Sequence, residues 1–226
     1  MNSTENIFQP EPDHVPDSTE AKIFEAAHKI FVKKGMDGTK MQEIADEAGI
    51  NKALLHYYYR SKEKLYEMVA RGVIRVAMPR LWAILEGDLP LEEKLDNLVE
   101  KYIDLLRANP FMPLFLVNEL NRHPENFQKL ILPKELPRPD AFFKQVEQAV
   151  AEGKIRPIDP RHLVANVLAM CIFPVLAKPI LQLFLGMDER VYKKFMDERK
   201  AEVKAFIFHS LKPDWVFFWN KFNPKV

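Results

Sequence analysis

The chain reads as an all-α protein. Three observations predict this: apolar residues recur at helical spacing through most of the length, no run alternates apolar and polar residues as a half-buried strand would, and only 7 glycines occur in 226 residues. Short helices come first and longer ones follow. No internal repeat is present.

Residues 1–17 hold Glu5, Glu11, Asp13 and Asp17, no Lys or Arg, and Pro10, Pro12 and Pro16. That composition predicts a flexible acidic arm. Asp17 or Ser18 is a suitable cap for a first helix, because a short side-chain oxygen accepts from the orphan N–H groups of the first turn. Ile23, Ala26, Ala27, Ile30 and Phe31 then form one apolar face, and Gly35 ends it. Thr39-Lys40-Met41-Gln42 has the form of a capping box with Thr39 as cap and Gln42 reaching back. Met41, Ile44, Ala45 and Ala48 face inward on the second helix, which Gly49 ends. Asn51 caps a third helix to about Tyr59, and Ser61 caps a fourth that runs to about Leu85. Gly87 and Pro90 mark its end. Further helices are predicted over about 91–108, 110–122, 138–152, 159–177 and 187–211, with an irregular proline-punctuated stretch from Pro124 to Pro139.

The apolar fraction is 47% and the charged fraction 29%, enough apolar residues for a core that needs no staples. Cys171 stands alone, so no intrachain disulfide forms. The N-terminus lacks the basic start and apolar run of a secretory signal. The longest apolar stretch, Leu163 to Leu185, is broken by Asn166, Pro174, Lys178, Pro179 and Gln182, so it reads as buried helix rather than a membrane span. A cytoplasmic protein without membrane contact is expected. The formal net charge of +1 carries no nucleic-acid signal. Its distribution does: between Asn51 and Lys64 the charged residues are Lys52, Arg60, Lys62 and Lys64 against Glu63, or 4 − 1 = +3.

Ile44 to Leu65 carries the chemistry. Two helices that cross closely need a small residue in the first, a corner residue tolerant of positive φ, and an apolar anchor on the second. Ala45, Gly49 and Leu55 meet those needs at spacings of four and six. Tyr57, Tyr58 and Tyr59 cover about 300° of arc on a helix, so they cannot all face inward. Tyr59 is the one expected in the core.

Residues 21–65 resemble the N-terminal DNA-binding domain of TetR-family transcriptional regulators. The resemblance rests on Ala26-Ala27, Phe31, Gly35, Gly38-Thr39, Ile44-Ala45, Ala48-Gly49-Ile50 and the run Tyr57-Tyr58-Tyr59-Arg60-Ser61-Lys62-Glu63-Lys64-Leu65. It implies a three-helix helix-turn-helix DNA-binding domain over 18–65 and a C-terminal helical bundle for effector binding and dimerisation over 66–226. Lys40, Ala53, His56 and Tyr59 depart from the family's usual residues, so the resemblance fixes the fold and not the operator.

The expected partner is a palindromic operator in double-stranded DNA. Geometry and resemblance together place Lys52, Ala53, Leu54, His56 and Tyr57 toward the major groove, where donors, acceptors and thymine methyls are distinguishable. Thr39, Gln42, Tyr58 and Lys62 are expected on phosphates, which set register. The implied sensor takes an unidentified small apolar effector. Its candidate lining is Trp82, Tyr102, Phe111, Phe115, Phe142, Phe143 and Met170, with Asn118, Glu119 and Asn166 as polar anchors. The same aromatics would equally fill a helical core. The resemblance also places a homodimer surface in 163–185 and at Val191, Phe195, Val203, Phe206 and Ile207. A tail with Trp215, Phe218, Trp219 and Phe222 at i, i+3, i+4, i+7 is expected to form a short packed helix.

Other classes fit less well. No Gly-rich phosphate loop, Gly-x-Ser-x-Gly elbow or metal-ligand spacing is present, and the pair Glu119 and His123 lacks anything to complete a site. No enzyme activity, cofactor or metal is expected. A helix-turn-helix interaction protein that does not bind DNA is the remaining alternative.

Overall fold

The computed structural model describes residues 18–122 and 139–213. The arm over 1–17, the stretch 123–138 with His123, and the aromatic tail from residue 214 lie outside the described residues. The described helices are α1 (Thr19–Lys34), α2 (Met41–Glu47), α3 (Lys52–Tyr58), α4 (Lys62–Glu86), α5 (Leu91–Ala108), α6 (Met112–Arg122), α7 (Asp140–Ala151), α8 (Pro160–Leu176), α9 (Lys178–Phe184) and α10 (Glu189–Ser210). They divide between two compact units: Met1–Pro79 with Leu105–Leu136, and Arg80–Asp104 with Pro137–Val226.

In the first unit the predicted faces are buried. Ile23, Ala26, Ala27, Ile30 and Phe31 of α1 lie in the core with Ile44, Ala45, Leu55, Leu65, Val69 and Val73. Ser18 is the cap of α1; its Oγ accepts from Ala21 N–H at 3.1 Å. Gly35 ends the helix at φ 66°, and its N–H donates to Phe31 O. The rings of Phe31, Tyr66, Phe111 and Phe115 pack on one another, with Phe31 edge-on to Tyr66 at 5.1 Å. The Tyr66 hydroxyl donates to Phe111 O at 3.1 Å, and burial raises its pKa to about 12.

Gly72 has a steric reason. A Cβ there would sit 2.6 Å from Cε2 of Phe24 and 3.0 Å from its Cζ. In an open helix interior, Gly to Ala adds about 1 kcal/mol. Gly72→Ala is expected to show no such gain, because moving the Phe24 ring offsets it. Urea unfolding checks this; the full gain would show that the ring swings aside freely.

The second unit is a bundle with Leu81, Leu95, Val99, Tyr102, Phe142, Val146, Leu163, Val167, Cys171, Met196, Val203 and Ile207 inside. Pro174 lies within α8, where its missing N–H leaves Met170 O without the usual i−4 partner. Arg199 of α10 supplies the donors, with Nη2 at 3.0 Å and Nε at 3.3 Å from that oxygen. Tyr192 donates to Pro174 O at 3.0 Å from the same helix. The fully buried Lys94 ammonium donates to Leu85 O at 2.7 Å, a cation at the negative end of α4. Burial pulls its pKa down, against the attraction of Glu86 and Asp88. Arg156 closes the end of α10 in the same way, donating from Nε to Ser210 O at 2.6 Å.

The reading of 163–185 as buried helix holds for only part of that stretch. Its α8 part breaks at Ala177, and α9 leaves at a 75° bend. No α9 residue is fully buried; Ile180, Leu183 and Phe184 are exposed, as is Leu185 beside them. Val203 and Ile207 are buried in their own bundle, whereas Val191 and Phe206 are exposed. No single described helix is long and apolar enough to cross a membrane, although α8 and α9 together reach the length across their bend.

Acids and bases alternate between α5 and α10. Lys200 Nζ lies 2.6 Å from Glu100 and 2.7 Å from Asp104, while Lys204 Nζ lies 2.9 Å from Asp96 and 2.8 Å from Glu100. Burial raises the Glu100 pKa, but the two ammoniums outweigh it and hold the carboxyl below its ordinary value. A depressed carboxyl pKa contributes stability that is present above the unfolded-state value and is lost as pH falls through the folded one. Glu100→Gln is therefore expected to lower the urea midpoint at pH 7. The deficit should shrink in acid, as pH falls through the lowered folded-state value and the wild-type carboxyl also takes up its proton. An equal deficit at both pH values would show that packing, not charge, is what the substitution removes.

Candidate nucleic-acid interface

The turn between α2 and α3 is built by its backbone. Gly49 has φ 68°, a conformation that carries a penalty for any residue with a Cβ. Ile50 N–H donates to Ala45 O at 3.0 Å and Gly49 N–H to Asp46 O at 3.2 Å, which satisfies the carbonyls at the end of α2. Two residues later Asn51 caps α3, its Oδ1 accepting from Leu54 N–H at 2.7 Å. Leu55 is the one buried residue of α3 and is fully enclosed, as is Ala45. Helix α3 is thus pinned by one side chain, which frees the rest of its circumference.

That free surface carries the predicted residues. Lys52, Ala53, His56 and Tyr57 are exposed, Tyr57 to 82%, and Leu54 lies beside them at 36%. Tyr57 meets Tyr58 edge-on at 5.7 Å, and Tyr58 is half-buried. Tyr59 is half-buried rather than a core residue; burial comes first among the causes that raise its pKa. Lys62 is half-buried at the first turn of α4. Among the described residues no carboxylate is paired with Lys52, Arg60, Lys62 or Lys64. The Glu63 carboxyl is held below its usual range by its own backbone N–H and then by the Ser61 hydroxyl.

The start of α2 differs from the sequence reading. The cap position is Lys40, one residue later than expected, and a Lys side chain has no acceptor to offer. Only the returning half of the box exists, with Glu43 Oε2 accepting from Lys40 N–H at 3.3 Å. Thr39 is 2% exposed, and its hydroxyl donates back to Gly35 O at 2.6 Å. Gln42 is exposed, its amide donating to Asp46 at 2.7 Å. Lys34 pairs with Glu43 at 2.8 Å, the leading cause of that carboxyl's lowered pKa.

The predicted ligand lining is divided between the two units. Phe111 and Phe115 belong to the first unit, packed on Phe31 and Tyr66. Asn118 is an exposed residue of α6. Glu119 also lies on α6, with its side chain outside the described part of the chain. Trp82, Tyr102, Phe142, Phe143, Asn166 and Met170 fall in the second unit. Asn166 is exposed on α8, so it lines no interior there. Burial drives the Tyr102 pKa upward and pushes the Cys171 thiol to about 12, which leaves that thiol inert. Two polar atoms that sequence reasoning had not connected stand out: Trp82 Nε1 and Gln145 Oε1 are buried with no hydrogen-bond partner among the described residues. No sequence pattern marks them, since their isolation depends on packing. Among the described residues no group of His, Cys, Asp and Glu is placed to hold a metal ion.

A tight two-helix corner with an outward basic and aromatic face, its bases free of carboxylate partners among the described residues, has the form of a helix-turn-helix DNA-binding domain. Residues 23–69 match the family model for bacterial regulatory proteins of the tetR family. The HTH-type transcriptional regulator RutR of Escherichia coli K12 is 27% identical over 196 residues, spanning 84% of this chain and 89% of that protein. Among solved structures, HlyIIR, a hemolysin II transcriptional regulator, aligns at TM-score 0.52 and 21% identity over 88% of this chain and 99% of its own. A TetR/AcrR-family regulator from Thermobifida fusca aligns at TM-score 0.55 and 19% identity, over 81% and 94%. Residues 23–69 thus carry the tetR-family DNA-binding pattern, and the chain as a whole resembles regulators of that family. Its likeness is to sequence-specific DNA-binding regulators.

Proposed function

We propose that the protein is a cytoplasmic homodimeric repressor that leaves a palindromic operator when a small apolar effector binds. Residues 18–65 form the DNA-binding domain and 66–226 the effector and dimer domain. The observation that carries the reading is the outward presentation of Lys52, His56 and Tyr57 on a helix fixed by Leu55. Lys52, Ala53, Leu54, His56 and Tyr57 read base edges, and Tyr58, Gln42 and Lys62 hold phosphates. Thr39 serves this surface indirectly, by tying the approach to α2 onto the end of α1.

Dimerisation is supported by exposed apolar residues on consecutive helices: Phe173 and Leu176 of α8, Ile180, Leu183 and Phe184 of α9, and Val191 and Phe206 of α10. So many large apolar side chains in one run of chain exceed the scatter usual on a monomer. Phe184→Asp with Leu183→Asp is expected to shift the protein from dimer to monomer in sedimentation at micromolar concentration, with helix content kept. An unchanged dimer would place the interface elsewhere.

Trp82, Tyr102, Phe142 and Met170 supply the apolar surroundings for an effector. Trp82 Nε1–H and Gln145 Oε1, without partners among the described residues, offer it one donor and one acceptor. No cofactor or metal takes part. The test is fluorescence anisotropy with a duplex from the DNA upstream of the protein's own gene. Tight binding that falls when 5 bp are inserted between half-sites about 34–36 Å apart supports a two-fold complex. Equal binding to the native and a shuffled duplex overturns the reading.

A further inference from the structure

His28 lies on α1. Its ring lies parallel to Phe24 within 3°, centroids 6.4 Å apart, and meets Phe111 edge-on at 5.9 Å. Its Nε2 lies 2.7 Å from Oδ1 of Asn109, a residue 81 positions along the chain. Asn109 is 1% exposed, and its Nδ2 donates to Leu105 O at 3.0 Å. That bond fixes the amide, so Oδ1 is the acceptor and His28 Nε2 carries the proton. Both the neutral Nε2–H tautomer and the imidazolium supply it.

Asn109 is also where α5 ends. Its N–H donates to Leu105 O at 2.9 Å and its carbonyl accepts from Met112 N–H at 3.0 Å, so the corner leading to α6 is closed on itself. The Oδ1 bond reaches out of that corner to α1. From α1 the linkage continues to α2 through the Lys34–Glu43 and Lys29–Glu47 pairs, and α2 carries α3 through the Gly49 turn.

Two helices pass between the units. In α4 the division falls at Pro79, which cannot donate to Arg75 O, so the ladder is interrupted there. In α5 it falls between Asp104 and Leu105, and no proline lies between Leu91 and Ala108. The uninterrupted helix is the one that ends on the His28 bond.

We infer that His28 is a positioning residue for DNA recognition: its bond to Asn109 fixes α1, and with it α2 and α3, to the end of α5. This rests on the DNA-binding reading above. Removing the donor leaves a buried acceptor unpaired and lets α1 shift against the corner. Sequence-specific contacts suffer from such a shift, while phosphate attraction tolerates it.

The experiment compares His28→Leu, which keeps bulk and drops the donor, with His28→Gln, which keeps an amide donor at similar reach. Anisotropy is read on the upstream duplex and on its shuffled version, well below the thermal midpoint of each variant. His28→Leu should bind the upstream duplex about fivefold to tenfold more weakly, with the shuffled duplex unchanged, and His28→Gln should stay within about twofold of wild type. Asn109→Ala should match His28→Leu, and the double variant should be no weaker than the worse single one. If His28→Leu does not fold, His28→Asn, too short to span the gap, takes its place with the same expectation. Unchanged upstream affinity despite a lower melting temperature overturns the inference and leaves DNA binding intact. A glutamine variant as weak as the leucine one overturns it too. A wild type that prefers no duplex removes both readings.

Discussion

Truncating Leu55 to alanine is expected to cost about 2–5 kcal/mol of stability in the DNA-binding helices, the range for large-to-small changes at enclosed sites. Leu55 is fully buried and is the only buried residue of α3. A seven-residue helix has no stability of its own in water, so its existence depends on tertiary anchoring. Alanine at position 55 leaves a cavity and nothing inserted beneath the recognition face. The Asn51 cap and the Gly49 turn remain, but each orders only an end of the helix. Hydrogen exchange should therefore quicken first at α3 amides, and operator binding should fall with it. Leu55→Met, similar in volume, should cost less than about 1.5 kcal/mol. Two units are present, so a single transition cannot be assumed, and exchange resolved by residue is the decisive measurement. An alanine variant within about 0.5 kcal/mol of wild type would mean that α3 is held by something other than this anchor.

The legible parts of this molecule are those set by near neighbours in sequence. Ser18, Gly35, Asn51 and Ser61 act within three or four residues of themselves, and each was readable as a cap or stop. The Ala45, Gly49 and Leu55 spacing works for the same reason. Thr39 shows how a local signal misleads: its hydroxyl had two backbone choices, the next turn or the previous one, and it took Gly35 O behind it. Helix α9 was not separated from its neighbours because Pro179 reads as a breaker, yet proline is tolerated in a first turn, and its apolar residues face outward rather than into a buried helix. The aromatic candidates were beyond reach for a different reason. Nothing in the sequence separates Phe111, packed on Phe31 beneath the DNA-binding helices, from Phe142 in the other unit. The His28–Asn109 bond joins residues 81 apart, and no pattern in one sequence reports such a pair.

Tyr57 and Lys62 should separate reading from holding. Tyr57 is 82% exposed and touches the rest of the chain chiefly through the edge of Tyr58, so alanine there should leave stability within about 0.5 kcal/mol. A side chain at a base edge contributes roughly 1–3 kcal/mol of discrimination. Tyr57→Ala is thus expected to weaken the preferred duplex by about tenfold or more while binding to shuffled DNA changes little. Lys62 sits at the start of α4 with no carboxylate paired to it among the described residues, a placement that suits phosphate. Lys62→Ala should weaken all duplexes alike and reduce the slope of log affinity against log salt by about 1 for each half-site. The two variants therefore move different observables, and a salt titration on both duplexes resolves them. Were Tyr57→Ala to weaken every duplex equally and flatten the salt slope, the ring would be a backbone contact, and the reading face would have to turn toward Lys52 and His56. Those two lie on the same free surface of α3, so that outcome would move the specificity by one turn without disturbing the anchor that Leu55 provides.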